Sequence, residues 1–295
     1  MITFDKYDLH GDYHWVEFAK ETEYRKHVLF LKEWIGEQQL LDIGAGAGLI
    51  ASQFNDCYAI EVNATARTLA AQHDVVVHEG DAYDLSGLPQ RFPAILLGDV
   101  LEHLEFPERA LLQARSAMLD DGVIYIAVPP SAGDVKEYHY REYTPELLQR
   151  SVEVCGLKLD GEIEANNGRL YAKFRKATLK VELGGGTRSR GEQFVNVDVV
   201  PEADIEWNLD QTPYPFPDNS IDELYSSHCM EHLVCPLRTF TEIARICKVG
   251  ARVEIRVPHP GNQMAMCAGH LHVVSPMMID NMDLHFPELH WKGPR

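Results

Sequence analysis

Several things are missing from this chain of 295 residues. Its six cysteines (57, 155, 229, 235, 247 and 267) include no CxxC pair. That excludes zinc-ribbon and thioredoxin spacings and suggests reduced thiols in a cytoplasmic protein. No apolar run is long enough to span a bilayer, so no membrane insertion is expected. The opening Met-Ile-Thr-Phe-Asp-Lys-Tyr-Asp lacks the basic and then apolar regions of a signal peptide. Positive charge is scarce: 27 Lys and Arg against 45 Asp and Glu give a net charge of −18. Such a surface opposes association with nucleic acid or anionic lipid. The remainder, 45% apolar and 24% charged, has the balance of a globular protein with room for two domains.

What the chain does have is repetition. Leu41-Asp42-Ile43-Gly44-Ala45-Gly46 is answered by Val181-Glu182-Leu183-Gly184-Gly185-Gly186, and Leu101-Glu102-His103-Leu104 by Met230-Glu231-His232-Leu233. Two motifs repeated in the same order imply two related α/β units. The expected division is residues 1–176 and 177–295. No Pro-, Gly- or Ser-rich linker lies between them, so the join is too short for a flexible tether.

In the first unit, Trp15 to Ile35 reads as an amphipathic helix. Apolar runs then recur at Leu40–Ile43, Cys57–Val62, Val75–His78, Ala94–Gly98 and Val123–Val128, with helix-sized stretches between them. This is the pattern of a parallel, doubly wound sheet. Leu157–Ile163 and Arg169–Phe174 flank Asn166-Asn167-Gly168 and read as an antiparallel hairpin. The glycines of Asp42–Gly48 allow a sharp turn and close ligand approach, and are expected to open a helix offering N–H groups to an anion. Glu61 ends the second strand, where a carboxylate can accept hydrogen bonds from ribose hydroxyls. Asp81 follows the third strand and Asp99 the fourth, so all converge beyond the carboxyl ends of the sheet. A nicotinamide dinucleotide fingerprint would need a third glycine at position 49, which is Leu49.

The runs LLDIGAGAG, AIEVN, GDAYDL, ILLGDVLEHLEFPERAL and LDDGVIYIAVPP resemble class I S-adenosylmethionine-dependent methyltransferases. Residues 25–175 are most similar to the group containing the ubiquinone-biosynthesis O-methyltransferases. The resemblance implies S-adenosyl-L-methionine as cofactor. It places Gly44, Ala45 and Gly46 along the methionine portion, Glu61 on the ribose, Asp81 and Ala82 about the adenine, and Asp99 near the methionine amino group. Helix capping is the competing role for Asp81. For Glu102 and His103 three readings stand: His103 as a general base, Asp99 with both residues as a divalent-metal holder, or a pair fixing the start of the next helix. The last is favoured because the pair recurs, and no metal is assigned.

Residues 180–260 resemble predicted methyltransferases associated with polysaccharide synthesis. Gly184, Gly186 and Asp198 are the counterparts of Gly44, Gly46 and Glu61, whereas Asn208 and His228 stand where Asp81 and Asp99 stood. The loop Thr187–Gln193 is too short for a helix, with Arg188 and Gly191 shaping it, and no sixth or seventh strand is evident after Pro260. Histidines 259, 270, 272, 285 and 290 and methionines 264, 266, 277 and 278 crowd the last stretch without a familiar ligand spacing. The expectation is therefore two Rossmann-like doubly wound sheets in tandem, the second shortened. The expected activity is O-methylation of a small molecule or glycan by the first unit, the second being a sister or degenerate copy. A non-catalytic cofactor-binding or scaffold protein is the alternative, and a homodimer could complete the second sheet.

Overall fold

The computed structural model describes residues 6–20, 22–129, 139–187, 189–191, 193–261, 263–267 and 269–274. The chain divides into two compact units, Met1–Ala177 and Thr178–Arg295.

The first unit opens with helices α1 (Lys6–His10), α2 (Tyr13–Ala19) and α3 (Glu23–Ile35). The single helix expected over 15–35 is thus two. Lys20 is extended, and Thr22 caps α3 by accepting a hydrogen bond from the Arg25 N–H. That polar cap starts a new helix instead of prolonging the old one. α3 ends at Gly36, where φ is +75°, and its buried Leu31 and Ile35 join a core with Leu40, Leu96, Tyr125 and Tyr171.

Strands β1 (Leu40–Ile43) and β2 (Cys57–Glu61), helix α4 (Ala64–Gln72), strands β3 (Val77–Glu79) and β4 (Phe92–Gly98), helix α5 (Pro107–Ala117) and strand β5 (Met118–Val128) follow. After α6 (Pro145–Glu153) come β6 (Leu157–Leu159), β7 (Glu164–Asn166) and β8 (Arg169–Lys176). The sheet order is β3-β2-β1-β4-β5-β8-β6, with β7 also paired to β8. β1 to β5 are mutually parallel and β8 runs against β5. Every residue of β1 is buried, as expected of a parallel strand covered on both faces. Asn167 and Gly168 join β7 to β8 with φ of 47° and 69°, the two positive values that such a hairpin requires.

A second expectation fails. The glycines do not open a full helix; they lead into the single 3₁₀ turn Ala51–Gln53. Gly48 still lies in the left-handed region at φ 76°, and β2 begins at Cys57. The short link between them leaves room for little more than one turn.

The second unit holds β9 (Lys180–Leu183), β10 (Val195–Asp198), β11 (Ile205–Glu206), β12 (Ile221–Ser227), helix α7 (Pro236–Ile246) and β13 (Cys247–Arg256). Its order, β11-β10-β9-β12-β13, is all parallel and repeats β3-β2-β1-β4-β5. Among the described residues, nothing in this unit pairs with the outer edge of β13. β5, flanked by β8, is buried over its last seven residues, whereas only Cys247 of β13 is buried. Arg252, Glu254 and Arg256 along it form ion pairs, and such charge blunts an open edge.

Candidate functional site

The first unit carries a cavity of about 510 Å³ beyond the carboxyl ends of its parallel strands, where open α/β sheets take ligands. Gly44 and Ala45 from the β1 turn, Glu61 from β2, Asp81 and Ala82 after β3, and Asp99 and His103 after β4 all line it. Of the residues expected to bind there, Gly46 alone among these is not on the wall. Its role is to hold another residue that is.

Gly44, Gly46 and Gly48 all have φ between 54° and 76°, a conformation that costs other residues about 1–2 kcal/mol. The turn hangs on β2: Gly44 N–H and Ala45 N–H both donate to the Ile60 carbonyl, at 2.9 and 3.0 Å. The Glu61 carboxylate then closes the loop, accepting Gly46 N–H on Oε2 at 2.9 Å and Asn63 N–H on Oε1 at 2.8 Å. Glu61 is only 8% exposed. Burial raises its pKa, and the N–H groups of Asn63 and Gly46 pull it back towards ionisation. Oδ2 of Asp42 has no hydrogen-bond partner among the described residues. Burial, together with the negative charge of Glu61, pushes its carboxyl up to about 7.

Asp81 is exposed and turns its Oδ1 to the Tyr83 N–H at 2.9 Å. It therefore braces a turn locally and caps no helix, while still lining the cavity. Asp99 sits at φ 54°, and its carboxylate is gripped by Arg169, Nε to Oδ1 at 2.7 Å and Nη2 to Oδ2 at 2.6 Å. Burial would raise the Asp99 carboxyl, but the Arg169 charge and hydrogen bonds outweigh it and hold it at about 2. Behind this pair, buried His27 bonds through Nδ1 to the Tyr171 hydroxyl at 2.7 Å, and burial lowers its pKa to about 4. Tyr7, His14 and Tyr24 from the N-terminal helices complete the wall. Arg169, His27 and these aromatics carry no local signal in the sequence. His103 lies on the wall, edge-on to His139 with ring centroids 4.8 Å apart.

The second unit rebuilds the loop with different residues. Gly184 N–H donates to the Val197 carbonyl at 2.9 Å, and Gly186 N–H to Asp198 Oδ2 at 2.8 Å. Val199 N–H, next in sequence, donates to Asp198 Oδ1 at 2.7 Å, where Glu61 accepts from Asn63, two residues on. The shorter aspartate keeps the glycine donor but takes its second N–H from one residue nearer than the glutamate does. His228 occupies the place of Asp99 with the same backbone, φ 55°, but carries no carboxylate. Asn208 makes a local turn, accepting the Asp210 N–H at 3.0 Å. Of the late histidines, His259 is bonded to Gly261 N–H and His270 lies beside His232. Arg188, Met277, Met278, His285 and His290 lie outside the described residues.

A glycine turn, a clasping acid and a strand-end cavity thus stand together on a doubly wound α/β scaffold. The chain belongs to the methyltransferase-domain family, whose model matches residues 16–183. A second model, also described as a methyltransferase domain, matches residues 171–255. An uncharacterized protein of Methanocaldococcus jannaschii is 27% identical over 128 residues, 43% of this chain and 62% of that one. Another, from Synechococcus sp., is 25% identical over 197 residues, 60% of this chain and 45% of that one. The chain thus spans less than two thirds of either curated relative. A solved structure of a possible histamine N-methyltransferase from Thermotoga maritima is 15% identical, with a TM-score of 0.47, covering 58% of this chain and 98% of that one. The magnesium protoporphyrin IX methyltransferase of Synechocystis, solved with bound SAH, is 12% identical, with a TM-score of 0.47, covering 60% of this chain and 99% of that one.

Proposed function

We propose that the chain is an S-adenosylmethionine-dependent methyltransferase whose first unit transfers a methyl group to a hydroxyl of a small molecule or glycan. The observation that carries this reading is the clasp of Glu61 on Gly46 at the wall of the cavity, with Ala45, Asp81 and Ala82 around it. The site fits the cofactor. Glu61 offers a buried acceptor for ribose hydroxyls, the glycine turn lets a ligand approach the backbone, and the Asp81–Ala82 segment borders the remaining space for adenine. Asp99 faces the cavity already paired with Arg169, so a ligand's ammonium group would share Asp99 with the guanidinium.

The cofactor supplies an electrophilic methyl group on a sulfonium. Bound there, it would give up that methyl to an acceptor oxygen, with the sulfur keeping the electron pair of the broken bond, and His103 on the cavity wall, or water, would take the acceptor's proton. Much of the rate in such a displacement comes from alignment; His103 on the wall is the group placed to take the proton. The second unit keeps the same clasp in Gly186 and Asp198 but has Asn208 and His228 at the other two positions, which supports a sister or degenerate copy.

Calorimetric titration with S-adenosylmethionine tests the reading. One equivalent, abolished by Gly44→Leu, is expected for a first-unit site; two equivalents would make both units functional. No binding would overturn the catalytic reading and leave a scaffold. Turnover against pools of hydroxylated small molecules and glycans then identifies the acceptor.

A further inference from the structure

Three residues of the same types meet at the same place in both units. Glu102, His103 and His139 bring a carboxylate oxygen and two ring nitrogens within 4.8 Å of one another, and Glu231, His232 and His270 do likewise. The construction is shared. A one-turn 3₁₀ helix, Leu101–His103 or Met230–His232, sets Glu and His side by side. The second histidine is delivered from a distant segment by a backbone bond to the glutamate's own carbonyl. Tyr140 N–H donates to Glu102 O at 2.8 Å, and Leu271 N–H to Glu231 O at 2.7 Å. The histidine rings then lie 4.8 Å apart at 75° in one unit and 4.7 Å apart at 84° in the other.

We propose that Glu231, His232 and His270 form a binding site for a divalent transition-metal ion in the second unit. Glu231 is 1% exposed. Its Oε1 meets His228 Nδ1 at 3.2 Å, while Oε2 has no hydrogen-bond partner among the described residues. A buried carboxylate oxygen without a partner is costly, and a cation is the group that relieves it. Nδ1 of His270 is likewise buried and without a partner among those residues. His232 Nδ1 lies 3.0 Å from the Gly269 carbonyl. A carbonyl only accepts, so Nδ1 carries the hydrogen and Nε2 keeps its lone pair, the tautomer of a metal-ligating imidazole oriented from behind.

Two imidazoles and one carboxylate suit Zn²⁺, Co²⁺, Fe²⁺ or Mn²⁺ better than Ca²⁺, which favours an all-oxygen shell. Three protein ligands leave positions open for water or a ligand oxygen. His272, two residues on, stays outside the triad because its Nε2 is bonded to the Val234 carbonyl at 3.1 Å.

The test uses the full chain, stripped with chelator and titrated with Zn²⁺ or Co²⁺ alone. A Glu102→Gln, His103→Ala background removes the first triad, so that remaining metal reports on the second unit. One equivalent is expected there. Glu231→Gln combined with His270→Ala should weaken binding at least about 10-fold and abolish the visible Co²⁺ spectrum of imidazole ligation, whereas His272→Ala retains both. Circular dichroism of each variant checks folding. If the double variant unfolds, a Zn²⁺-dependent rise in the melting temperature of the background protein, absent with Glu231→Gln alone, supports the site. The proposal fails if the background protein takes up no metal, or if Glu231→Gln and His270→Ala leave its affinity and Co²⁺ spectrum unchanged.

Discussion

Arg169 holds Asp99 in a fork, with Nε on Oδ1 at 2.7 Å and Nη2 on Oδ2 at 2.6 Å, across 70 residues of sequence. The two side chains are 17% and 26% exposed, so the pair is shielded from water and its geometry is bidentate. It ties the turn after β4 to the first residue of β8, the strand that covers the edge of β5.

Removing only the cation leaves a largely enclosed carboxylate without its charge partner. Arg169→Met should lower stability by about 3 kcal/mol, and Asp99→Asn added to it should restore a large part. Urea denaturation of the two single variants and the double variant measures the coupling. Additive losses would show that the fork contributes nothing of its own.

The two glycine turns can be tested separately. A side chain at Gly44 would meet Val100 Cγ2 at 2.8 Å, and one at Gly184 would collide with the Cys229 side chain, both at positive φ. Gly44→Leu is expected to weaken S-adenosylmethionine binding by at least about 100-fold, equivalent to about 2.7 kcal/mol. Gly184→Leu should leave the first-unit equivalent intact. Calorimetry that found Gly44→Leu binding like the parent protein would place the cofactor elsewhere.

Asp42 makes stability depend on pH. Its folded pKa of about 7 lies above the usual value of about 3.9, so the folded state keeps a proton that the unfolded chain releases. The associated stability is present in full below about pH 4 and is lost as pH rises through about 7. His27, held at about 4 by burial, acts oppositely: its contribution is present above about pH 6.5 and lost as pH falls towards 4. Comparing Asp42→Asn with the parent cancels His27. The variant's relative stability should be greater at pH 7.5 than at pH 5 by about 2 kcal/mol. A pH-independent difference in urea titrations would refute the raised pKa.

The break between α2 and α3 rests on Thr22, whose side chain accepts the Arg25 N–H at 3.3 Å. Thr22→Ala should cost about 1 kcal/mol, and Thr22→Asp should cost less, since aspartate caps as well. Thermal denaturation showing no loss for Thr22→Ala would mean that packing of Leu31 and Ile35 alone sets the start of α3.

Much of the scaffold was legible in the sequence because it is encoded locally. Apolar runs fixed β1, β2, β4 and β5, since a strand covered on both faces reads as a mostly apolar run. Asn167-Gly168 fixed the hairpin and the repeated glycines fixed both loops, because only certain residues accept positive φ cheaply. Glu61 and Asp198 were recognisable from their place at the end of a strand. The misread features, a full helix after Gly48 and a continuous helix through Lys20, turned on where a cap or a short link ends an element, and periodicity does not report that. The fork of Arg169 on Asp99, the bond of His27 to Tyr171 144 residues away, and the meeting of Glu231 with His270 were decided by tertiary structure alone. Each joins groups whose sequence separation carries no pattern. They come together because the sheet order sets β8 beside β5, and because backbone hydrogen bonds from Leu271 and His272 fasten their segment to the Glu231 carbonyl.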